Sequence, residues 1–360
     1  MTLPARYQPE GAPLAGGMGA VQICADSALA RKVAVKFLQP GVHGRRMRDE
    51  LAALLKMRSK HVVQVYDVLQ LDGGSVGIVQ EFIDGPDLVQ SFTPPTDLGA
   101  FYRQLWQIAA GIADIHALGV IHRDIKPNNM KVDPEGVVKI FDFGLARDDG
   151  PAASTLGFVG TLGFAAPELF LAKSTFSLAA DTYAFGATAL FLGLGGLPPG
   201  LWEAPPQPLP ATGFADLRIG ADAASAVPLA GDVATILFSC LAREPAERPV
   251  MRDVRDTLAR HILHGRHQAL LVFNGKSSIL NRENRVVKLN YPNVGSAQIG
   301  YDGLRFVVQE VGGEVMINNQ EVAPGYAIPG SCVVALGGAH RRGNDRKFIT
   351  FDLSHPEIVL

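Results

Sequence analysis

The sequence predicts an α+β protein of two domains, a large one that passes from strands to helices and a small all-β one behind it. Three patterns carry this prediction. Several short runs before residue 83 alternate apolar and polar residues, as half-buried strands do. Apolar residues then recur at helical spacing over residues 98–118 and again beyond residue 232. After residue 268, short β-branched runs are separated by turn signals such as Asn274-Gly275.

Composition narrows the class of protein. A chain of 360 residues accommodates two domains, and 47% hydrophobic with 19% charged residues suits packed cores and excludes wholesale disorder. The net charge of −2 gives no electrostatic sign of nucleic-acid binding, so we expect no nucleic-acid partner. The cysteines Cys24, Cys240 and Cys332 form no C-x-x-C pair, which fits a reducing compartment.

No segment of the sequence reads as a secretory signal or a membrane span. Residues 1–22 are rich in Pro and Gly and lack a continuous apolar run. Residues 183–197 are apolar but carry four glycines, and they fall short of the roughly 18–20 residues that a spanning helix needs. We therefore expect a cytoplasmic protein without a membrane span.

The chemistry concentrates in the run H-R-D-I-K-P-N-N at residues 122–129 and in D-F-G at residues 142–144. Together they supply a carboxylate (Asp124), a lysine (Lys126), an amide (Asn129) and a second carboxylate (Asp142). Phosphoryl transfer from a magnesium nucleotide to a hydroxyl needs such a set. In this order and spacing, the segment resembles the catalytic core of eukaryotic-type Ser/Thr protein kinases, which also occur in bacteria as Hanks-type kinases.

The resemblance implies a bilobal protein kinase fold over residues 7–264, with an N-lobe at 7–82 and a C-lobe at 86–264. It also implies ATP and Mg²⁺ as cofactors, with Mn²⁺ as a possible substitute, and proteins as substrates. By the same resemblance, Asp124 accepts the proton of the substrate hydroxyl and Lys126 steadies the transferring charge. Asn129 and Asp142 hold the metal.

The start of the chain resembles the nucleotide-covering part of a kinase. Residues 14–21 read L-A-G-G-M-G-A-V, similar to a Gly-rich loop whose backbone amides close over phosphates. The first glycine of the family falls on Leu14, which is a departure. The resemblance implies nucleotide contacts from this loop, the following strands and a hinge at residues 80–83: Leu14, Gly16, Gly17, Gly19, Val21, Ala34, Lys36, Glu81 and Ile83.

Within this set, Lys36 in V-A-V-K matches the lysine that contacts the α- and β-phosphates. Residues 46–57 form a predicted helix, and Glu50 is the predicted partner of Lys36; the alternative acid is Asp49. Residues 61–68 and 75–82 alternate like strands. The second of these leads into the hinge, where the Glu81 carbonyl and the Ile83 amide would pair with adenine and Gln80 would be the gatekeeper.

Beyond the catalytic loop, the resemblance implies regulatory and bracing residues. Arg123 suggests docking of a phosphorylated activation segment, with Ser154 and Thr155 as autophosphorylation candidates. The alternative is that these two are ordinary polar residues of a loop. Structural roles are expected for Thr161 in G-T-L-G-F-A-A-P-E, for a buried Glu168–Arg248 ion pair and for Asp181 as a brace of the catalytic loop.

Residues 268–360 predict a small β-sandwich. Residues 314–322, with Pro329-Gly330-Ser331 behind them, resemble the end of a forkhead-associated domain. That family binds phosphothreonine through an arginine, for which Arg282 is the candidate, and through a serine in S-x-x-H. Here Gly295 stands where the serine belongs and Gln298 where the histidine does. The alternative is a degenerate β-module for docking or for bracing the kinase.

These observations favour a Ser/Thr protein kinase that autophosphorylates in its activation segment. Its C-terminal domain would dock phosphoproteins or other partners, or would regulate the enzyme. A non-catalytic scaffold with a kinase fold is the first alternative, although such proteins commonly lose the lysine or the aspartates. A kinase for small molecules is the second, although it would tend to lack the A-P-E sequence.

Overall fold

The computed structural model describes residues 3–16, 19–38, 45–143, 161–171, 177–210, 212–354 and 356. At residues 15, 16, 19, 45–50 and 344 it describes the backbone but not the side chains. The chain divides into two compact units, Met1–Ala259 and Arg260–Leu360. Each unit builds its own sheets and its own core.

The first unit begins with an antiparallel sheet in the order β1-β3-β4-β6-β5, with β2 paired to β3. Val33, Val35 and Val79 are fully buried in this sheet, which explains the β-branched residues in its central strands β4 and β6. One helix, α1, lies between β4 and β5 in the sequence. The elements are β1 (Tyr7–Pro9), β2 (Leu14–Gly16), β3 (Gly19–Asp26), β4 (Arg31–Leu38), α1 (Arg45–Lys56), β5 (Val65–Gln70) and β6 (Val76–Glu81).

The rest of this unit is mainly helical. Apolar residues line one stripe of α2 and almost the whole circumference of α3, and α3 is accordingly buried over most of its length. Asp97 caps α2 by accepting a hydrogen bond from the Ala100 amide at 2.6 Å. The elements are α2 (Leu98–Ala117), β7 (Met130–Val132), β8 (Val138–Ile140), α3 (Leu178–Leu194), β9 (Arg218–Ile219), β10 (Val227–Pro228), α4 (Gly231–Cys240) and α5 (Met251–Leu263).

The strand predicted from residue 61 begins only at Val65, so its first part was wrong. His61 and Val63 pair instead with β8: the Ile140 amide donates to His61 O and the Val63 amide to Ile140 O, both at 2.9 Å. The alternating pattern covers two pairings: residues 61–63 bond to β8, whereas β5 pairs with β6. This segment therefore connects the N-terminal sheet to the strand that precedes Asp142.

The second unit is all-β, as predicted. It contains β11 (Ala269–Phe273), β12 (Lys276–Leu280), β13 (Val286–Tyr291), β14 (Gly295–Tyr301), β15 (Phe306–Gly313), β16 (Val315–Ile317), β17 (Gln320–Glu321), β18 (Cys332–Leu336) and β19 (Lys347–Leu353). One sheet runs β12-β11-β19-β18-β16-β17 and the other β13-β14-β15. Leu271 and Phe351 of the first sheet share a core with Ile299 and Phe306 of the second.

No helix within the described residues is both long enough and apolar enough to cross a membrane.

Candidate active site

The catalytic loop is held by a carboxylate from α3. Asp181 is buried, and its two oxygens accept hydrogen bonds from the His122 amide at 2.7 Å and the Arg123 amide at 2.9 Å. Arg123 has a φ of 69°, a left-handed conformation that costs a non-glycine residue about 1–3 kcal/mol unless its surroundings impose it. Asp181 imposes this turn, which presents Asp124 to the site.

The Asp124 carboxylate lies in a network of donors. Lys126 Nζ and Asn129 Nδ2 each lie 2.9 Å from its Oδ2, and the Thr161 hydroxyl donates to its Oδ1 at 3.0 Å. Lys126 Nζ also donates to Thr161 Oγ1 at 2.9 Å. Asp124 is buried, and the Lys126 ammonium lies beside it. The arrangement offers an oriented carboxylate that can accept a proton, with a cation at its side.

His122 connects this loop to the second carboxylate. Its Nε2 donates to Phe141 O at 3.0 Å, and its Nδ1 accepts from the Asp124 amide at 3.3 Å. Only a neutral imidazole can donate through one nitrogen and accept through the other. Burial lowers the pKa of His122, which agrees with this assignment. The ring is therefore a fixed positioning group between the two motifs.

Asp142 and Asn129 are brought together by the backbone, because the Phe141 amide donates to Asn129 O at 3.0 Å. Asp142 has a φ of 65° and forms an ion pair with Lys36, whose Nζ also donates to Phe143 O at 3.1 Å. The Lys36 side chain is 5% exposed and the Asp142 side chain 32%. The described site therefore pairs this buried lysine with Asp142.

The donor set suits a magnesium ion. Asn129 uses its Nδ2 to bond to Asp124, and Asp142 uses Oδ1 to pair with Lys36. Asn129 Oδ1 and Asp142 Oδ2 are hard oxygen ligands of the kind that Mg²⁺ takes in combination with nucleotide phosphates. The residues present fit the metal.

A cavity of about 240 Å³ opens beside this site. Six of the predicted nucleotide-binding residues line it, together with the predicted gatekeeper Gln80 and with Asp142. The walls are mostly apolar, as small-molecule sites usually are, and four charged residues also line them: Lys36, Glu81, Lys131 and Asp142. The six are Leu14, Val21, Ala34, Lys36, Glu81 and Ile83.

Several predicted residues cannot be placed at the site. Gly17, Ser154 and Thr155 lie outside the described residues, as does the side chain of Glu50, whose backbone belongs to α1. Gly16 and Gly19 are opposite partners at the end of the β2–β3 pair, next to the residues that line the cavity. The Lys36–Glu50 pair and the phosphorylation sites remain predictions.

Sequence reasoning left two residues off the site. Thr161 was assigned a structural role, yet its hydroxyl bonds to both Asp124 and Lys126. Its signal was the G-T-L-G-F-A-A-P-E sequence. Lys131 was not considered, although it lines the cavity. The sequence feature that could have indicated it is a lysine between two apolar residues in β7, which directly follows the catalytic loop in the sequence.

The predicted Glu168–Arg248 ion pair is present. Arg248 donates from two guanidinium nitrogens to the two carboxylate oxygens at 2.7 Å each, and it also donates to the Ala179, Ala242 and Arg243 carbonyls. Its side chain is fully buried. This pair ties the segment behind Thr161 to the start of α3 and to the chain before α5.

Comparison with known proteins agrees with this geometry. The family model described as "Protein kinase domain" matches residues 15–257, more than half of the chain. The chain belongs to the protein kinase family. The match covers the cavity lining except Leu14, the catalytic loop and the Glu168–Arg248 pair, and it ends before the all-β unit.

Curated relatives are bacterial kinases. "Serine/threonine-protein kinase pkn3" of Myxococcus xanthus is 32% identical over 55% of this chain and 39% of its own length. "Serine/threonine-protein kinase PknA" of Mycobacterium tuberculosis is 31% identical over 58% and 54%. "Probable serine/threonine-protein kinase PknB" of Bifidobacterium longum is 33% identical over 51% and 29%. This chain thus spans between 29% and 54% of the length of these three relatives.

Two residues considered for phosphothreonine recognition, Arg282 and Gly295, lie at opposite ends of the β13–β14 hairpin. Arg282 packs against Gly265, at the end of the β13–β14 hairpin where Val286 pairs with Gly300. Gly295 pairs with Tyr291 at the opposite end. A strand of six residues spans about 20 Å, so Arg282 and Gly295 lie far apart.

Proposed function

We propose that this protein kinase transfers the γ-phosphoryl group of ATP to Ser and Thr hydroxyls of proteins. The observation that carries the proposal is the Asp124 network with Lys126, Thr161 and Asn129. It combines a buried, oriented carboxylate with a cation. A cavity lined by six of the residues expected to contact the nucleotide opens beside it. The curated relatives named above are Ser/Thr kinases, which supports the substrate class.

In the proposed reaction, Asp124 accepts the proton of the substrate hydroxyl as its oxygen forms a bond to the γ-phosphorus. The bond from that phosphorus to the bridging oxygen breaks, and ADP carries the electron pair away. Lys126 offsets the negative charge on the transferring group, and Lys36 that on the remaining phosphates. Mg²⁺, held by Asn129 and Asp142 when bound, would neutralise phosphate charge, and Mn²⁺ would be a possible substitute.

Further parts of the proposal concern regulation. We propose that Glu50 pairs with Lys36 in the active state, in exchange for the Asp142 contact. Autophosphorylation of Ser154 or Thr155 would order the activation segment through Arg123, which is buried beside the catalytic loop. We further propose a bilobal arrangement of the kinase domain and a cytoplasmic location.

For the all-β unit we propose docking or regulation. A unit with two sheets around one core supports a forkhead-associated-like sandwich. The separation of Arg282 from Gly295 favours docking of a partner over phosphothreonine binding. A phosphothreonine peptide library tested against the wild type and Arg282→Ala distinguishes the two: a binder that depends on Arg282 would contradict this preference.

The decisive experiment is a transfer assay on the purified chain with Mg²⁺, labelled ATP and a generic protein acceptor, compared with Asp124→Asn. We expect the variant to lose nearly all transfer, since general-base contributions are about 10²- to 10⁴-fold, while ATP binding persists. Asp133→Asn, at an exposed turn after β7, is the matched control and should keep full activity. Label that maps to Ser154 or Thr155 by mass spectrometry would support autophosphorylation.

Equal transfer rates for wild type and Asp124→Asn would overturn the assigned role of Asp124. ATP binding without any transfer by the wild type would support the alternative, a scaffold that signals through its conformation.

A further inference from the structure

A lysine, Lys131, lies at the hinge side of the cavity. Lys131 of β7 lines the cavity, and its Nζ donates to Ile83 O in the hinge at 3.0 Å. The same Nζ lies 5.8 Å from the centre of the Phe141 ring, within the range of a cation–π contact. Both contacts hold the ammonium at the hinge side of the cavity.

Lys131 and Lys139 both contact the hinge. Lys131 lies directly opposite Lys139 of β8, and like charges in such a pair destabilise a sheet. Each ammonium has its own acceptor in the hinge: Lys139 Nζ lies 3.0 Å from a carboxylate oxygen of Glu81, and Lys131 bonds to Ile83 O. Of the two, Lys131 lines the cavity and Lys139 does not.

The Lys131 ammonium engages the Ile83 carbonyl, which is one of the hydrogen-bond acceptors of the hinge backbone. The proposed adenine contacts are the Glu81 carbonyl with the 6-amino group and the Ile83 amide with N1. The third position along a purine edge is the 2-substituent, and the corresponding hinge group is the Ile83 carbonyl. Adenine carries only hydrogen at position 2, so it leaves that carbonyl without a strong donor. Lys131 supplies the donor.

We propose that Lys131 is a specificity-determining residue that favours adenine over purines with a 2-amino group, by occupying the Ile83 carbonyl. This inference rests on the proposed ATP-dependent function. Guanine and 2,6-diaminopurine both present an N–H donor to this position. In this site that donor meets a carbonyl already bonded to an ammonium, and a second N–H is repelled by the nearby positive charge.

The sharpest probe is 2,6-diaminopurine riboside triphosphate, which differs from ATP by the 2-amino group alone. Dissociation constants for both nucleotides would be measured with Mg²⁺ by calorimetry on the full-length chain. We expect the wild type to bind ATP more tightly. In Lys131→Met the preference should shift toward the 2-amino nucleotide by about three- to tenfold, which corresponds to one hydrogen bond. GTP should shift in the same direction.

Lys139→Met is the matched control, because it removes the neighbouring hinge contact outside the cavity; its nucleotide preference should equal that of the wild type. Lys131→Arg keeps the charge and should retain the preference. An unchanged preference in Lys131→Met, or the same shift in both methionine variants, would overturn the inference.

The wild type alone also tests the inference, should Lys131→Met fail to fold, because equal affinity for the two nucleotides would contradict it. Absence of ATP binding by the wild type would remove the proposed function and this inference with it. If the wild type binds ATP but the nucleotide preference is unchanged in Lys131→Met, this inference is contradicted and the proposed function still stands.

Discussion

At the scale of single residues, the site depends on two non-glycine residues in left-handed backbone conformation. Arg123, which directly precedes Asp124, has a φ of 69°. Asp142, one of the two predicted metal ligands, has a φ of 65°. Such conformations persist only where contacts impose them. Asp181 does so for Arg123, and the Lys36 ion pair holds the Asp142 side chain.

The contribution of Asp181 can be measured. In Asp181→Ala the His122 and Arg123 amides lose their buried acceptor, so we expect unfolding to become easier by about 1–3 kcal/mol. If Asp181 positions the catalytic loop, kcat should fall at least tenfold. The KM for ATP should change little, because Asp181 does not line the nucleotide cavity. Asp181→Asn retains one acceptor oxygen, so its stability and kcat should lie between those of the wild type and Asp181→Ala. A loss of stability with kcat unchanged would show that Asp181 is merely structural.

At the scale of elements, α2 determines where the catalytic loop begins, and its packing depends on Gly111. A Cβ at Gly111 would lie 2.8 Å from Ile140 Cδ1 and 2.9 Å from the His61 carbonyl oxygen. The helix thus lies directly against the segment that carries His61 and against β8, which leads to Asp142.

Gly111→Ala should therefore destabilise the protein. Helix propensity alone would favour alanine by about 1 kcal/mol. The close approach to a backbone oxygen should outweigh it, giving a net loss of about 1–3 kcal/mol in the free energy of unfolding. Gly231→Ala, at the exposed first residue of α4, is the control and should not destabilise, because a Cβ there would meet nothing within 4 Å. Equal effects in urea unfolding would contradict the close packing of α2.

His61, which contacts α2 at Gly111, should make the stability of the protein depend on pH. Burial lowers the pKa of His61 to about 4 from an ordinary value of 6.5. Between these two pH values, His61 is therefore neutral in the folded state and protonated in the unfolded state. The stability it contributes is therefore fully present above pH 6.5 and is lost as the pH falls from 6.5 toward 4.

We expect up to about 1.4 kcal/mol of unfolding free energy to be lost per pH unit in this window through His61. His61→Gln, which cannot titrate, should show a smaller difference in urea unfolding between about pH 7.5 and about pH 5.5. Part of the difference should remain, because burial also lowers the pKa of His122. An identical difference in wild type and variant would rule out His61 as the source.

At the scale of the whole molecule, the all-β unit has a core of its own. Its two sheets share a cluster of buried apolar residues that lies within the second compact unit. A domain of about a hundred residues can bury enough apolar surface to fold independently. The unit therefore meets the physical requirement for a separate domain.

We predict that residues 260–360 expressed alone fold into a monomeric β domain with a single cooperative urea transition. Circular dichroism and urea unfolding would check this. Val334→Asp, which places a charge at a fully buried position of β18, should abolish folding, whereas Val333→Asp on the exposed side of the same strand should be tolerated. A fragment without cooperative unfolding would contradict the prediction.

The sequence alone determined the class of protein and predicted its catalytic set. Asp124, Lys126, Asn129 and Asp142 were predicted because the motifs that carry them resemble, in order and spacing, those of Ser/Thr protein kinases. The helices and the all-β unit were also predictable, because burial of one face imposes a period on the sequence. Such local signals do not need the tertiary structure.

The tertiary structure alone decided which of these groups meet. It showed that residues 61–63 pair with β8, that Thr161 bonds to Asp124, and that Arg282 lies far from Gly295. It also placed Lys131 at the Ile83 carbonyl, from a strand 48 residues further along the chain. Contacts between distant segments depend on how the elements pack, and the spacing of residues within one element carries no record of that packing.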